Sequence, residues 1–181
     1  MHTTIPDLLA GIHLSPNFDT DHYALFKTLI DTISWDETIK SRKTASFGVP
    51  YNYSNMTYEV QPIPEVLAPV LSAVNAKIGY VSNNCLINYY HENESAMGFH
   101  EDNVEYLAAG TGVCILSLGN DRILRFRNTR NKDLKHDIEL KAGSLFYMSQ
   151  EIQQYWQHAI LRTQSNGERI SLTFRSITTS K

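Results

Sequence analysis

Only two cysteines occur in 181 residues, Cys85 and Cys114, and each sits inside an apolar run, CLI and VCILSL. They lack CxxC spacing, so they read as small buried hydrophobes rather than as a zinc or redox site. No run of 18 apolar residues is present, so no membrane-spanning helix is expected. The opening MHTTIPDLLAGIHL has neither a basic start nor a long apolar core. No signal peptide is read there, and a cytoplasmic protein (nuclear in a eukaryote) with no membrane partner is expected. An excess of positive charge is missing too: 16 Lys and Arg stand against 19 Asp and Glu, a net charge of -3. That is not the balance of a protein held mainly by nucleic-acid phosphates. Internal repeats and low-complexity stretches are also absent. The 42% hydrophobic fraction suffices for one sizeable core, and the length suggests one domain over residues 1–181.

The apolar pattern predicts two helices early in the chain. In TDHYALFKTLIDTIS (20–34), Tyr23, Phe26, Leu29, Ile30 and Ile33 recur at helical spacing, with Thr20 or Asp19 as the cap. From Pro64 to about Ile78 a second helix is expected, with proline at its start and Gly79 after its end. From residue 84 the texture changes to short β-branched and aromatic runs. CLINYY (85–90), GVCILSLG (112–119), RILRFRN (122–128), HDIEL (136–140), SLFYMS (144–149), QYWQHAI (154–160) and RISLTFR (169–175) are separated by Gly- and Asn-containing turns. Seven such strands suggest an α+β fold: a β-sandwich or jelly roll with the helices packed outside one sheet. The helices and a lid would occupy 1–80, and the jelly-roll core 81–176.

Among seven histidines, His100 stands out because Asp102 lies two positions on. In extended chain that spacing points both side chains the same way. An imidazole and a carboxylate on one rim are two thirds of a facial triad, the ligand set of many non-haem iron sites. The third ligand must come from a distant strand, and His158 in YWQHAI has apolar neighbours to anchor it. Taken alone, an HxD pair arises readily by chance.

RISLTFR adds a second feature. Arg169 and Arg175 are six residues apart on a predicted strand, so both face one side, together with Ser171 and Thr173. Ile170, Leu172 and Phe174 take the other. Two inward arginines are costly unless something anionic meets them, and a dicarboxylate fits, one carboxylate to each guanidinium. A solvated strand face is the plainer alternative.

With these residues on the page, the chain resembles the AlkB family of iron(II)/2-oxoglutarate dioxygenases. The motifs that carry the likeness are NYY (88–90), HED (100–102), SLG (117–119), LKAGSLFYMS, WQHAI (156–160) and RISLTFR, in the family's order, over about residues 43–176. The resemblance implies a double-stranded β-helix and iron ligands at His100, Asp102 and His158. It implies that Arg169 pairs with the distal carboxylate of 2-oxoglutarate and that Arg175 lies near the chelating one. Asn88 and Tyr90 would hydrogen-bond the same cosubstrate. Ser171 stands where the family often has asparagine and keeps one donor. The cofactors implied are Fe(2+), 2-oxoglutarate and O2, and the reaction implied is hydroxylation of a substrate C–H bond, which releases formaldehyde when that carbon is an N-methyl group.

SRKTASFGVPYNYSNMTY (41–58) resembles the nucleotide-recognition lid of the family's repair members. Phe47, Tyr51 and Tyr53 match its aromatics, with Tyr53 expected to sandwich a flipped base against His100 and Tyr51 to reach a phosphate. The alternative is that these aromatics only pack an outer strand. The repair members commonly carry an acid facing the base shortly after the metal aspartate. Here that position is Val104, with Glu105 next to it as a substitute. Lys40, Arg42 and Lys43 precede the lid, and Arg122, Arg125, Arg127, Arg130, Lys132 and Lys135 cluster on a predicted hairpin, where they would either track a phosphate backbone or simply be solvated. The resulting expectation is a monomer that dealkylates N-alkylated bases in single-stranded DNA or RNA. The alternatives are an oxygenase acting on a small molecule or protein side chain, and a binding module without turnover.

Overall fold

The computed structural model describes residues 9–50, 60–91, 95–162 and 167–178. Ten strands and two helices follow in the order β1 (Ile12–Ser15), α1 (His22–Thr32), β2 (Lys43–Gly48), α2 (Ala68–Ile78), β3 (Asn84–Tyr90), β4 (Met97–His100), β5 (Gly112–Gly119), β6 (Arg122–Asn128), β7 (Lys135–Leu140), β8 (Leu145–Ser149), β9 (Trp156–Ile160) and β10 (Arg169–Arg175). They form two antiparallel sheets. The larger has the order β1-β8-β5-β10-β3-β2 and the smaller β4-β9-β6-β7. This is the jelly roll expected from the strand pattern.

All seven expected strands are present, with ends within two residues of the reading. Three more were not expected. β1 and β2 come from the first eighty residues and close the two edges of the larger sheet. β4 is only four residues long, too short for an alternation to show. β2 is KTASFG, which the sequence reading gave to the lid. Its Phe47 pairs in register with Cys85 and is 8% exposed in the core against the helices. The packing alternative therefore describes Phe47, which does not line the cavity between the sheets.

Two apolar layers hold the sheets and helices together. Between the sheets, Val113, Ile115, Phe146 and Met148 meet Leu124, Phe126, Ile138 and Trp156. Outside the larger sheet, Phe26 and Leu29 of α1 and Val70 and Val74 of α2 cover Cys85, Ile87, Cys114, Leu116, Ile170, Leu172 and Phe174. Both cysteines are thus buried and unbridged, as read. α1 starts at His22 rather than 20, and neither Asp19 nor Thr20 is its cap. Asp21 stands there without a side-chain cap bond, while Asp19 Oδ1 accepts from the Asp21 N–H at 3.0 Å. Tyr23 is largely exposed and lies off the buried stripe. α2 ends as expected: Gly79 takes φ +82° and its N–H bonds the Asn75 carbonyl, a left-handed cap that glycine adopts without strain. Among the described residues no helix is long and apolar enough to cross a membrane.

Candidate metal and cosubstrate site

β10 lies between β3 and β5 at the centre of the larger sheet, and its alternation decides what faces inward. Arg169, Ser171, Thr173 and Arg175 line the cavity between the sheets, while Ile170, Leu172 and Phe174 pack under the helices. The register with β3 sets Arg169 beside Tyr90, Ser171 beside Asn88 and Thr173 beside Leu86. All of these side chains line the same cavity. The period-two reading of RISLTFR and the NxY motif therefore converge on one wall.

The opposite wall carries the candidate metal ligands. His100 at the end of β4 pairs directly with His158 on β9, with ring centroids 4.3 Å apart. Asp102 follows two residues later, and one ligand atom from each of the three residues lies within 4.8 Å of the others. His100 Nδ1 is 2.8 Å from the Gly98 carbonyl, an arrangement that puts the proton on Nδ1 and the ligating lone pair on Nε2. Burial lowers the proton affinity of both imidazoles, and that of His158 falls to about 3. Both rings are thus held neutral, as ligands must be. Burial works against the charge on Asp102, but the neighbouring positive charge, Arg175 foremost, outweighs it and holds the carboxyl below its usual range. Arg175 Nη2 reaches Asp102 Oδ1 at 3.2 Å.

Gln153 steadies this loop from beneath. Its Oε1 accepts the Asp102 backbone N–H at 3.1 Å and its Nε2 lies 3.2 Å from Met148 Sδ. Side chains that orient a ligand commonly control affinity ten- to hundredfold. Gln153→Leu is therefore expected to weaken Mn(II) or Fe(II) binding by about tenfold or more, read by titration calorimetry, with the fold retained.

The donor set and its surroundings fit Fe(II) with a dicarboxylate. Two neutral imidazoles and one carboxylate make a facial triad that leaves positions open. Across the cavity Arg169 is 1% exposed. One nitrogen donates to Ser117 Oγ at 3.0 Å, while Nε and Nη1 are buried without a hydrogen-bond partner among the described residues. Burial lowers its pKa to about 10, so it stays cationic at neutral pH and requires an anion. On the same wall Asn88 Oδ1 is held by Arg42 Nε at 2.8 Å, which turns the amide's donor end toward the cavity.

Two arginines here were not singled out as site residues in the sequence. Arg42 was read as a lid-flanking cation but is 7% exposed. Arg122 was placed in a surface basic cluster but is 2% exposed. Its Nη2 donates to the Ser95 and Leu161 carbonyls, each at 2.5 Å, which ties the chain before β4 to the chain after β9. Its guanidinium carbon is 5.4 Å from the centre of the Tyr90 ring, and that of Arg169 is 5.3 Å. The rest of the hairpin is more exposed, with Arg125 gripping Asp137 through two 2.6 Å bonds. Glu105 is exposed on the loop after Asp102, and its N–H donates to Asn103 Oδ1. It does not line the cavity. Val104 packs against the inner core. Tyr51 and Tyr53 lie outside the described residues.

Comparison with known proteins places this geometry. Residues 18–175 match the model of the 2OG-Fe(II) oxygenase superfamily. The chain is 31% identical over 147 residues to DNA oxidative demethylase ALKBH2 of Bos taurus, covering 75% of this chain and 53% of that protein. It is 30% identical over 148 residues to alpha-ketoglutarate-dependent dioxygenase alkB homolog 3 of Rattus norvegicus, covering 75% and 50%. The chain thus spans about half the length of these curated relatives. The structure of OsALKBH1 superposes with a TM-score of 0.67 at 17% identity, over 92% of this chain and 98% of that one, a likeness in fold. With the family match spanning most of the chain, and Fe(II), 2-oxoglutarate and O2 as the cofactors it implies, the protein belongs to the 2OG-Fe(II) oxygenase superfamily.

Proposed function

We propose that the protein is an Fe(II)/2-oxoglutarate-dependent dioxygenase that removes alkyl groups from nitrogen atoms of DNA or RNA bases. The observation that carries the chemistry is the juxtaposition of a His-Asp-His cluster with the buried, unsatisfied Arg169 across one cavity. The substrate class rests on the resemblance to ALKBH2 and alkB homolog 3 and on the lid motif at 41–58.

In this reading His100, Asp102 and His158 hold iron. Arg169 pairs with the distal carboxylate of 2-oxoglutarate, Arg175 lies at its chelating end, and Asn88, Tyr90 and Ser171 hydrogen-bond it. When bound, Fe(II), 2-oxoglutarate and O2 supply the oxidation of a substrate C–H bond, with one oxygen atom ending on the substrate and the other in succinate, and with CO2 released. The hydroxymethyl product sheds formaldehyde and leaves N–H. No side chain serves as nucleophile. The protein's work is to orient the carbon, to keep water out between the two sheets, and to hold the charges that fix the cosubstrate. Tyr53 is assigned to stack the base and Tyr51 to meet a phosphate.

A second reading keeps the same chemistry and directs it to a small molecule or protein side chain. It draws on Val104 and on the net charge of -3. The test is succinate and formaldehyde release with methylated single- and double-stranded DNA and RNA, with free nucleosides alongside. Stimulation by oligonucleotides supports base dealkylation. Turnover with another substrate while every oligonucleotide is inert overturns it.

A further inference from the structure

One end of β10 brings Arg175 to Asp102. The other end carries more positive charge than Arg169 alone supplies. Tyr90 closes β3 and is paired in register with Arg169, the first residue of β10. Gly119 closes β5 as the third member of that row, and the turn after it delivers Arg122 to the first position of β6. Arg122 shares the inward parity of Leu124 and Phe126 and is 2% exposed. Its guanidinium carbon and that of Arg169 stand 5.4 and 5.3 Å from the centre of the Tyr90 ring. Two buried cations thus meet over one aromatic side chain, and that side chain lines the cavity.

Local pairing accounts for only part of Arg122. Nη2 donates to the Ser95 and Leu161 carbonyls, but Nε and Nη1 are buried without a hydrogen-bond partner among the described residues. Adjacent carboxylates are engaged elsewhere. Asp121 Oδ1 accepts from the Ala142 N–H at 2.8 Å, Glu139 is 3.6 Å from Lys141, and Glu168 accepts from the Tyr89 hydroxyl. A buried guanidinium is costly unless a counter-charge or an aromatic face meets it. A tie between two carbonyls needs only an N–H donor, not a cation. Burial lowers the proton affinity of Arg169 most, and the charge of Arg122 lowers it further. An anion arriving at this end relieves both side chains.

We infer that Arg122 is a positioning residue for the cosubstrate: it holds the Tyr90 ring beside Arg169 and adds a second positive charge at the end that receives the distal carboxylate. The inference rests on the cosubstrate placement given under the proposed function. Arg122 stands behind Tyr90 rather than on the cavity wall. It acts through that ring and through its charge, which reaches further where water is excluded. The plainer role is the tie between the chain before β4 and the chain after β9. That role has a different consequence. β4 carries His100 and β9 carries His158, so losing the tie would loosen the metal cluster first.

Titration calorimetry under nitrogen separates the two roles. Mn(II) affinity is measured first. The Mn(II)-loaded protein is then titrated with 2-oxoglutarate and with oxalate, which chelates a metal but has no distal carboxylate. Arg122→Met should weaken 2-oxoglutarate binding by about tenfold or more, while Mn(II) and oxalate affinities stay within about twofold. Should Arg122→Met fail to fold, Arg122→Gln, which keeps an N–H donor for the two carbonyls, carries the same comparison. An unchanged 2-oxoglutarate affinity overturns the inference. So does an equal loss for oxalate or for Mn(II), which would leave Arg122 as a tie between strands. Arg169→Met is the control on the placement itself. If 2-oxoglutarate binds that variant as tightly as the unsubstituted protein, the distal carboxylate does not lie there and the reading beneath the inference falls.

Discussion

Arg169→Met should weaken 2-oxoglutarate binding and, in the same molecule, make the ligand-free protein harder to unfold. The side chain is 1% exposed, and two of its nitrogens have no hydrogen-bond partner among the described residues. Without a cosubstrate this is a buried cation with only the Ser117 hydroxyl and Tyr90 beside it among the described residues, and replacing such a charge by an apolar chain of similar length typically stabilises by about 1–4 kcal/mol. With a cosubstrate it forms a charge-assisted pair worth roughly 2–3 kcal/mol, equivalent to about a 30- to 150-fold change in affinity. Calorimetric titration of 2-oxoglutarate into the Mn(II)-loaded protein measures the loss, and urea unfolding of the metal-free protein measures the gain. Loss of binding with an equal loss of stability would mean that Arg169 is a structural residue.

Two of the candidate metal ligands should separate in a way that the sequence alone did not anticipate. His100→Ala is expected to reduce turnover by about a thousandfold or more, with metal binding lost and stability little changed, because its ring lies at the rim of the cavity. Asp102→Ala should abolish metal binding as well, but it also strands Arg175, which is 3% exposed and 3.2 Å from the carboxylate. Breaking a buried ion pair from one side typically costs about 3–5 kcal/mol. Asp102→Ala should therefore unfold at markedly lower urea concentration than His100→Ala, and Asp102→Ala combined with Arg175→Met should recover part of the difference. The charge on Asp102 is held chiefly by Arg175, so the pair contributes above the ordinary carboxylate range and is lost as the pH falls through the lowered value.

Much of this site was legible because strand alternation is a strict rule. Arg169, Ser171, Thr173 and Arg175 on one face and Ile170, Leu172 and Phe174 on the other follow from counting by twos, and the structure keeps both sets as counted. The same count applies to RILRFRN. Leu124 and Phe126 are plainly core residues, and Arg122 shares their parity, yet its charge drew it into a surface reading. Phe47 was missed for the reverse reason: a family-like motif outweighed the plain fact that TASF alternates poorly and is buried throughout. β4 could not be read, because four residues carry too little period, and its place is fixed by pairing with β9. Arg42 gave no local signal at all, since its partner Asn88 lies 46 residues away.

The central strand of the larger sheet is also the last of the described strands to be made. Until β10 is available, β1-β8-β5 and β3-β2 are two separate ribbons, with β5 and β3 presenting open edges to each other. The arginine wall and the join between the ribbons then arrive together, in one seven-residue insertion that pairs on both sides. Pairing partners so distant in sequence make assembly slow, and exposed edges are where chains stick to one another. A chain that stops before residue 169 therefore carries His100, Asp102, His158 and all four strands of the smaller sheet, yet leaves the larger sheet split and lacks the arginine wall opposite them.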